Sequence, residues 1–277
     1  MADLFTSLVA ISQVGDIGDK PVPGTTPQVK KTFSAGRRLQ PAKVYNLGHV
    51  LGGGAIAYWK LDEPGGTNTV IDYSGSSPAN TLATATGTPT VETGQIGNAR
   101  RFNAAQMSGP ANPAAVSIIN SAFTTFTFGF WIKTSDFSGF GAAGIRGVLT
   151  LCQLGDISNA SAYIRFDNNK SLGYGSSNVG NNGWGAFFTG FEDQWVHAVI
   201  VGDNVASTAT AYRNGVSQGS VSKPTSTNTP TVPTWYLGIG QLGAPANLGN
   251  FALDDVWFEN GTVSPAAILA DYQRGMG

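Results

Sequence analysis

The loop over residues 72–80 carries oxygen donors of the kind that bind a cation. It reads Asp-Tyr-Ser-Gly-Ser-Ser-Pro-Ala-Asn, so Asp72 opens it with a carboxylate and Asn80 closes it with an amide. Ca²⁺ takes about six to eight oxygen ligands from carboxylates, amides and backbone carbonyls. Asp72 and Asn80 are therefore candidate calcium ligands. The alternative is that Asp72 caps its own turn.

Trp184 lies in a stretch rich in glycine and asparagine, which has the composition of a loop. A sugar site needs an exposed aromatic ring as an apolar platform with polar groups around it. Trp184, the nearby Tyr174 and Asn182 are therefore the candidate glycan-binding residues. The alternative is that Trp184 packs beneath its own loop. Four other tryptophans lie in strand-like runs and are expected in the core: Trp59, Trp131, Trp195 and Trp257.

The carboxylates do not have the spacing of a glycoside hydrolase. A retaining enzyme holds two carboxylates about 5–5.5 Å apart across the sugar bond. On a regular strand, Asp255 and Glu259 share a face but lie about 13 Å apart, while Asp254 points to the opposite face. His197 lies inside an apolar run and is expected to be structural rather than catalytic. We therefore expect no catalytic residues and no enzyme activity.

The composition excludes several further classes of protein. Charged residues make up 12% of the 277 residues, and 37 glycines favour turns and short strands over long helices. A net charge of −1 gives no general attraction to nucleic acid. One cysteine and two histidines rule out an internal disulfide and a histidine-rich metal centre. No apolar run approaches the roughly 20 residues of a membrane span.

From residue 55 onward the chain shows short alternating runs separated by turn residues, a pattern typical of β-strands. The Asn214-Gly215 pair predicts a tight hairpin, because both central residues of a type I′ turn need a positive φ. Ser264-Pro265 predicts the start of a helix over 266–273, with Gly275 as its stop. The chain is therefore expected to be all-β, a two-sheet antiparallel sandwich with one short C-terminal helix. The predicted strands are 55–61, 126–133, 148–151, 162–166, 195–201, 209–213, 235–239 and 252–258.

The first 52 residues differ from the rest and are predicted to form an anchoring arm before a domain over 53–277. Residues 1–50 hold six lysines and arginines against three aspartates, and four prolines favour an extended arm. Apolar residues at helical spacing near the start predict a short amphipathic helix. Because such residues are poorly suited to a solvated tail, we expect the arm to dock onto a partner. The predicted anchoring residues are Leu4, Phe5, Leu8, Val9, Ile11, Lys30, Lys31, Arg37 and Arg38.

An ordered set of motifs after residue 55 resembles the laminin-G-like, concanavalin A-like jelly-roll family. The resemblance implies a jelly-roll sandwich, a fold that hosts lectins, adhesion modules, spacers and some glycosidases. Relatives of this type often bring an acidic residue from the closing strand to a calcium site, which adds Asp254 or Asp255 to the candidate ligands. The motifs are Ala-Tyr-Trp-Lys-Leu-Asp-Glu over 57–63, Val-Ile-Asp-Tyr-Ser-Gly over 70–75, Gly-Gln-Ile-Gly-Asn-Ala-Arg-Arg-Phe over 94–102, Phe-Gly-Phe-Trp-Ile-Lys over 128–133, Gln-Trp-Val-His-Ala-Val over 194–199, Ala-Tyr-Arg-Asn-Gly-Val over 211–216 and Asp-Asp-Val-Trp-Phe over 254–258.

The expected location decides between the functions open to such a fold. Asp3 stands where a secretion signal would carry Lys or Arg, so we expect synthesis in a host cytoplasm without a signal peptide. Laminin-G-like domains usually work outside cells. A phage-like particle reconciles that location with synthesis in a host cytoplasm. The hypothesis is a non-catalytic structural protein at the virion surface, a capsid decoration or a tail or fibre component. It would contact other virion proteins, form homo-oligomers and bind host glycans. The alternatives are a stand-alone Ca²⁺-dependent lectin and, third, a glycoside hydrolase.

Overall fold

The structure, a computed structural model, describes residues 55–75, 79–110, 125–137, 145–153, 162–176, 180–203, 205–223, 233–238 and 250–277. All of them belong to one unit, residues 46–277. The predicted arm over 1–52 lies outside the described residues, so its anchoring role stays a prediction. The same holds for its individual residues: Leu4, Phe5, Leu8, Val9, Ile11, Lys30, Lys31, Arg37 and Arg38.

Two antiparallel sheets of eight strands each form a sandwich, which confirms the predicted fold class. Sheet A has the order β14-β13-β12-β7-β16-β5-β4, with β1 also paired to β16, and sheet B has the order β11-β10-β9-β8-β15-β6-β3-β2. The elements are β1 (Ala55–Trp59), β2 (Thr69–Val70), β3 (Leu82–Thr86), β4 (Thr90–Thr93), β5 (Asn98–Asn103), β6 (Gln106–Ser108), β7 (Phe126–Lys133), β8 (Ile145–Gln153), β9 (Ala162–Asp167), β10 (Leu172–Ser176), β11 (Gly180–Trp184), β12 (Val196–Asp203), β13 (Thr208–Arg213), β14 (Val216–Ser222), β15 (Pro233–Leu237), β16 (Asn250–Asn260) and α1 (Pro265–Met276).

Strand β7 shows how alternation builds the core and a second apolar layer outside it. Phe128 and Phe130 enter the main cluster between the sheets, because side chains two residues apart share a face. Trp131 points to the opposite face and stacks on Tyr272 of α1, with ring centroids 5.7 Å apart. Gly129 lies on this outer face, where a Cβ atom would collide with the Trp257 indole. The helix therefore covers one face of sheet A.

Helix α1 begins where the sequence predicts and ends later. The Ser264 hydroxyl accepts a hydrogen bond from the Ala267 amide at 3.2 Å, and Pro265 occupies the first turn. The expected stop at Gly275 is wrong, because α1 continues to Met276. Gly275 is needed for packing instead, since a Cβ atom there would collide with the Trp131 ring. No helix in the described ranges has the length and apolar character required to cross a membrane.

The hairpin between β13 and β14 has the predicted turn. Asn214 and Gly215 have φ angles of 52° and 78°, as a type I′ turn requires. The Asn214 side chain is held as well, because its Oδ1 accepts a hydrogen bond from the His197 amide at 2.9 Å. This turn therefore places an amide side chain at a defined position beside α1.

Candidate functional site

A buried polar cluster fixes α1 against sheet A. The Asp271 carboxylate lies at its centre. Its Oδ2 lies 3.0 Å from His197 Nε2 and accepts a hydrogen bond from Trp257 Nε1 at 3.1 Å. Arg274 donates to the other oxygen, Oδ1, from two nitrogens at 3.1 and 2.7 Å. His197 is fully buried here, in keeping with its expected structural role.

Arg274 also links α1 to the closing strand. It pairs with the Asp255 carboxylate, which accepts a second hydrogen bond from the Tyr58 hydroxyl. Burial raises the pKa of Asp255, although Arg274 acts in the opposite direction. For Asp271, burial opposes ionisation, but His197 and Arg274 hold its pKa below the usual value. Both carboxylates are thus committed to holding the helix in place.

A surface groove of about 450 Å³ runs beside the carboxyl-terminal end of α1. Three half-buried aromatic rings line it: Phe191, Trp195 and Tyr272. Phe191 packs under Arg213, whose guanidinium carbon lies 4.6 Å from the ring centroid. Tyr272 is held by its stacking on Trp131. Phe191 and Tyr272 are therefore positioned in advance of any ligand.

Polar side chains complete the groove, and backbone groups orient three of them. Gln95 Nε2 donates to the Gly275 carbonyl at 2.7 Å, and Gln194 Nε2 donates to the Gly190 carbonyl at 3.3 Å. Asn214 is the third, oriented by the His197 amide. Lys133 and Asp193 add one charge of each sign to the lining. Partly exposed rings beside oriented amides are the usual make-up of a site for a small amphipathic ligand.

Trp195 is a groove residue whose apolar sequence context predicts a place in the core. Trp59, Trp131 and Trp257 are at most 1% exposed, as predicted, whereas Trp195 is half-buried. The reason is its position: β12 begins at Val196, so Trp195 stands outside the strand at the groove. The polar triplet Glu-Asp-Gln over 192–194 was the available signal that the strand starts later.

The predicted glycan-binding residues lie in a different place and are packed. Trp184 and Tyr174 are 5% and 3% exposed and belong to the main core cluster. Trp184 Nε1 donates to the Gly219 carbonyl at 2.8 Å, and Asn182 Nδ2 donates to the Ser222 carbonyl at 2.5 Å. They join β11 to β14, across the edge between the two sheets. The exposed ring required for sugar stacking is absent at Trp184, which corrects that prediction.

Two of the predicted calcium ligands, Asp72 and Asn80, are adjacent, but they are occupied with each other and with the backbone. Asp72 Oδ1 accepts from the amides of Tyr58 and Ser74 at 3.0 and 2.9 Å. Its Oδ2 accepts from the Asn80 amide at 2.7 Å, while Asn80 Oδ1 accepts from Trp235 Nε1 at 3.1 Å. This is the turn-capping alternative.

The other two predicted ligands, Asp254 and Asp255, do not join that pair. Tyr58 lies between Asp72 and Asp255, because its amide donates to Asp72 and its hydroxyl donates to Asp255. Asp254 instead accepts from the Ile96 amide. Within the described ranges, no group of three or more His, Cys, Asp and Glu side chains could hold a metal ion. The four residues therefore do not fit one calcium site, and calcium binding stays a prediction.

A bulge in β16 changes the expected facing of its carboxylates. Opposite β7, the register shifts between Asp254 and Trp257, and Asp255 has a φ of 52°. Leu253 and Val256 both enter the main core, so the extra residue moves Asp254 and Asp255 off that face together. The simple alternation that placed Asp254 opposite Asp255 is wrong for this reason.

Asp254 is fully buried on the outer side of sheet A. Its Oδ2 accepts a hydrogen bond from the Ile96 amide at 2.7 Å, and its Oδ1 has no hydrogen-bond partner among the described residues. Burial raises the pKa of this carboxyl group to about 8. It therefore keeps its proton at pH values at which exposed aspartates are ionised.

Three solved structures illustrate the fold similarity. The binding domain of botulinum neurotoxin DC in complex with rat synaptotagmin II has a TM-score of 0.60 at 13% identity, covering 81% of this chain and 52% of that chain. The same domain in complex with SialylT gives 0.59 at 14% identity, covering 80% and 52%. The botulinum neurotoxin serotype D binding domain gives 0.58 at 14%, again covering 80% and 52%. This chain thus spans about half the length of these structures.

No curated protein matches the chain by sequence. A family model described as the concanavalin A-like lectin/glucanases superfamily, Laminin_G_3, matches residues 109–269. This match spans more than half of the chain and includes β7 to β16, which are five neighbouring strands in each sheet. The chain therefore belongs to the laminin-G-like branch of the concanavalin A-like superfamily.

Proposed function

We propose that this protein is a non-catalytic carbohydrate-binding jelly roll that holds glycans in the groove beside α1. The observation that carries the proposal is the set of three half-buried rings, Phe191, Trp195 and Tyr272, beside oriented amides. Sugars bind through the apolar face of the ring and through directed hydrogen bonds, and this lining supplies both. The fold family includes lectins, and one structural neighbour is a complex with SialylT.

The carboxylates support binding rather than hydrolysis. Glycoside hydrolysis uses a pair of carboxyl groups flanking the sugar bond. Asp193 is the single carboxylate among the described residues that line the groove. Asp255 of β16 and Asp271 of α1 are buried between the helix and sheet A, where Arg274 bonds to both of them. We therefore propose that a bound glycan is released unchanged.

Replacing Trp195 with alanine is expected to weaken glycan binding at least about tenfold, which corresponds to roughly 1.4 kcal/mol of lost stacking and burial. Binding is measured by screening the full chain on a glycan array and titrating the best ligand by calorimetry. Tyr73→Ala is the matched control, because Tyr73 is an exposed ring outside the groove lining. Unchanged affinity in Trp195→Ala, or the absence of any glycan ligand, would contradict the proposal. Repeating the titration with EDTA separates it from the Ca²⁺-dependent lectin, whose binding the chelator abolishes.

We further propose that the jelly roll is displayed on a phage-like particle through the arm over 1–52, with other virion proteins as partners. The support is in the sequence: the arm carries excess positive charge and an apolar head, while the jelly roll carries the excess acidic residues. Deleting residues 1–52 is expected to leave a folded jelly roll that no longer joins particles. Immunogold labelling of purified particles measures this, and equal labelling with and without the arm would refute the anchoring role.

A further inference from the structure

The charges that line the groove are balanced. Lys133 Nζ lies 3.9 Å from Asp193 Oδ1, and these are the two charged residues among the described groove-lining side chains. Two arginines lie nearby but are engaged. Arg213 donates to the Phe187 carbonyl, and Arg274 pairs with buried carboxylates. A carboxylate that approaches Lys133 in the groove would therefore also lie near the Asp193 carboxylate, which offsets the attraction of the ammonium.

The oriented amides present mainly acceptors to a ligand. A carbonyl oxygen only accepts, so the bonds to Gly275 and Gly190 fix the nitrogens of Gln95 and Gln194 on the backbone side. Their Oε1 atoms have no donor among the described residues. Together with the Asp193 carboxylate they form three acceptors, against the Asn214 Nδ2 amide and the Lys133 ammonium as donors, and the ammonium already faces Asp193.

This pattern favours ligands that can donate hydrogen bonds. A sugar hydroxyl both donates and accepts, so it satisfies Gln95, Gln194 and Asn214 equally well. An ionised carboxylate only accepts, so it leaves the two glutamine oxygens without donors when it displaces water. Leaving desolvated polar groups unpaired costs binding free energy. The unpaired glutamine oxygens therefore weaken the binding of a carboxylate in addition to its repulsion by Asp193.

We infer that the groove selects neutral, hydroxyl-rich pyranoses and discriminates against sugars that carry a carboxylate, such as sialic and uronic acids. The inference rests on the proposed glycan-binding function of the same groove. The positions of Gln95, Gln194, Lys133 and Asp193 restrict the expected glycans to neutral ones. The half-buried Trp195 ring supplies the apolar surface on which such a pyranose packs.

The test uses two matched pairs that differ in the acidic group, methyl glucoside with methyl glucuronide and methyl galactoside with methyl galacturonide. A third pair is lactose with 3′-sialyllactose, whose acidic member carries an added sialic acid. The full chain is titrated by ligand-observed NMR. The neutral member of each bound pair is expected to bind at least about tenfold more tightly. In Asp193→Asn, which removes the carboxylate beside Lys133, this preference is expected to fall at least about threefold. Asp203→Asn, a surface carboxylate in a turn outside the groove, is the control and should leave the preference unchanged.

The possible results separate the inference from the proposed function. Equal or tighter binding of the acidic members, lost in Trp195→Ala, would overturn the inference while the groove remains a glycan site. A neutral preference that Asp193→Asn leaves unchanged would overturn the part assigned to the Lys133–Asp193 pair. Absence of binding to every sugar pair would overturn both.

Discussion

Replacing Arg274 with alanine is expected to destabilise the folded protein by about 3 kcal/mol. Asp255 and Asp271 are 3% and 1% exposed, and Arg274 is the cation that bonds to both of them. Removing it leaves two buried carboxylates close together without their common counter-charge. Burial lowers the pKa of Arg274, but the two carboxylates outweigh it and raise that pKa above its usual value.

Urea unfolding measures this effect as a fall in the free energy of unfolding. Gln273→Ala is the matched control, because Gln273 is an exposed neighbour on the same helix. In a protein that carries both Asp255→Asn and Asp271→Asn, Arg274→Met should lower the free energy of unfolding by less than it does in the wild type. The reason is that no buried charge is then left unpaired. A loss below about 1 kcal/mol in Arg274→Ala would show that water reaches the carboxylates and that the cluster does not hold α1.

The free energy of unfolding of the wild-type protein is expected to fall as the pH rises from about 4 to 8, because of Asp254. Replacing Asp254 with asparagine is expected to abolish this fall. The ordinary pKa of an aspartate is 3.8, whereas burial raises that of Asp254 to about 8. Between these values the folded chain binds a proton that the unfolded chain has released. The stabilisation is therefore complete below about pH 4 and is lost as the pH rises toward 8.

The size of this effect follows from the linkage between proton binding and folding. Each unit of pH inside that window changes the free energy of unfolding by about 1.4 kcal/mol, so a difference on the order of 2–4 kcal/mol is expected between pH 5 and pH 8. Asparagine keeps an oxygen that can accept from the Ile96 amide but cannot ionise. Asp254→Asn should therefore be the more stable protein at pH 8 to 9.

Urea titrations at several pH values measure the difference between wild type and variant. They are run with EDTA, because Asp254 is also a predicted calcium ligand. Asp203→Asn is the control carboxylate, since Asp203 caps a surface turn through the Val205 and Ala206 amides at 2.8 and 3.2 Å. Parallel pH curves for wild type and Asp254→Asn would show that the buried carboxyl group is not protonated in the folded protein.

The fold was predictable because it depends on local patterns. Alternation in β7 and β12, the Asn-Gly turn and the Ser-Pro helix start each involve residues close in the chain, and each is found where it was expected. The predictions that failed depend on contacts between distant residues. Gly275 was read as a helix stop, but its role is set by Trp131, which lies on another element.

The site was less predictable, because exposure is decided by what packs on a residue. Trp184 looked exposed from its glycine-rich neighbours, yet Gly219, 35 residues away, accepts its hydrogen bond and covers that edge. Trp195 looked like a core residue from the apolar run after it, yet it lies before the strand. Apart from the polar triplet over 192–194, which precedes the start of β12, nothing local in the sequence shows which of these two rings is covered.

The sequence by itself determined the all-β sandwich, its main strands and its closing helix, because side-chain alternation and turn chemistry act over a few residues. Only the tertiary structure decided which rings and carboxylates are available. The groove joins a turn near Gln95, a loop before β12, the Asn214 hairpin and α1. Their proximity results from packing of the sheets and helix, and this long-range arrangement is not encoded in any single segment.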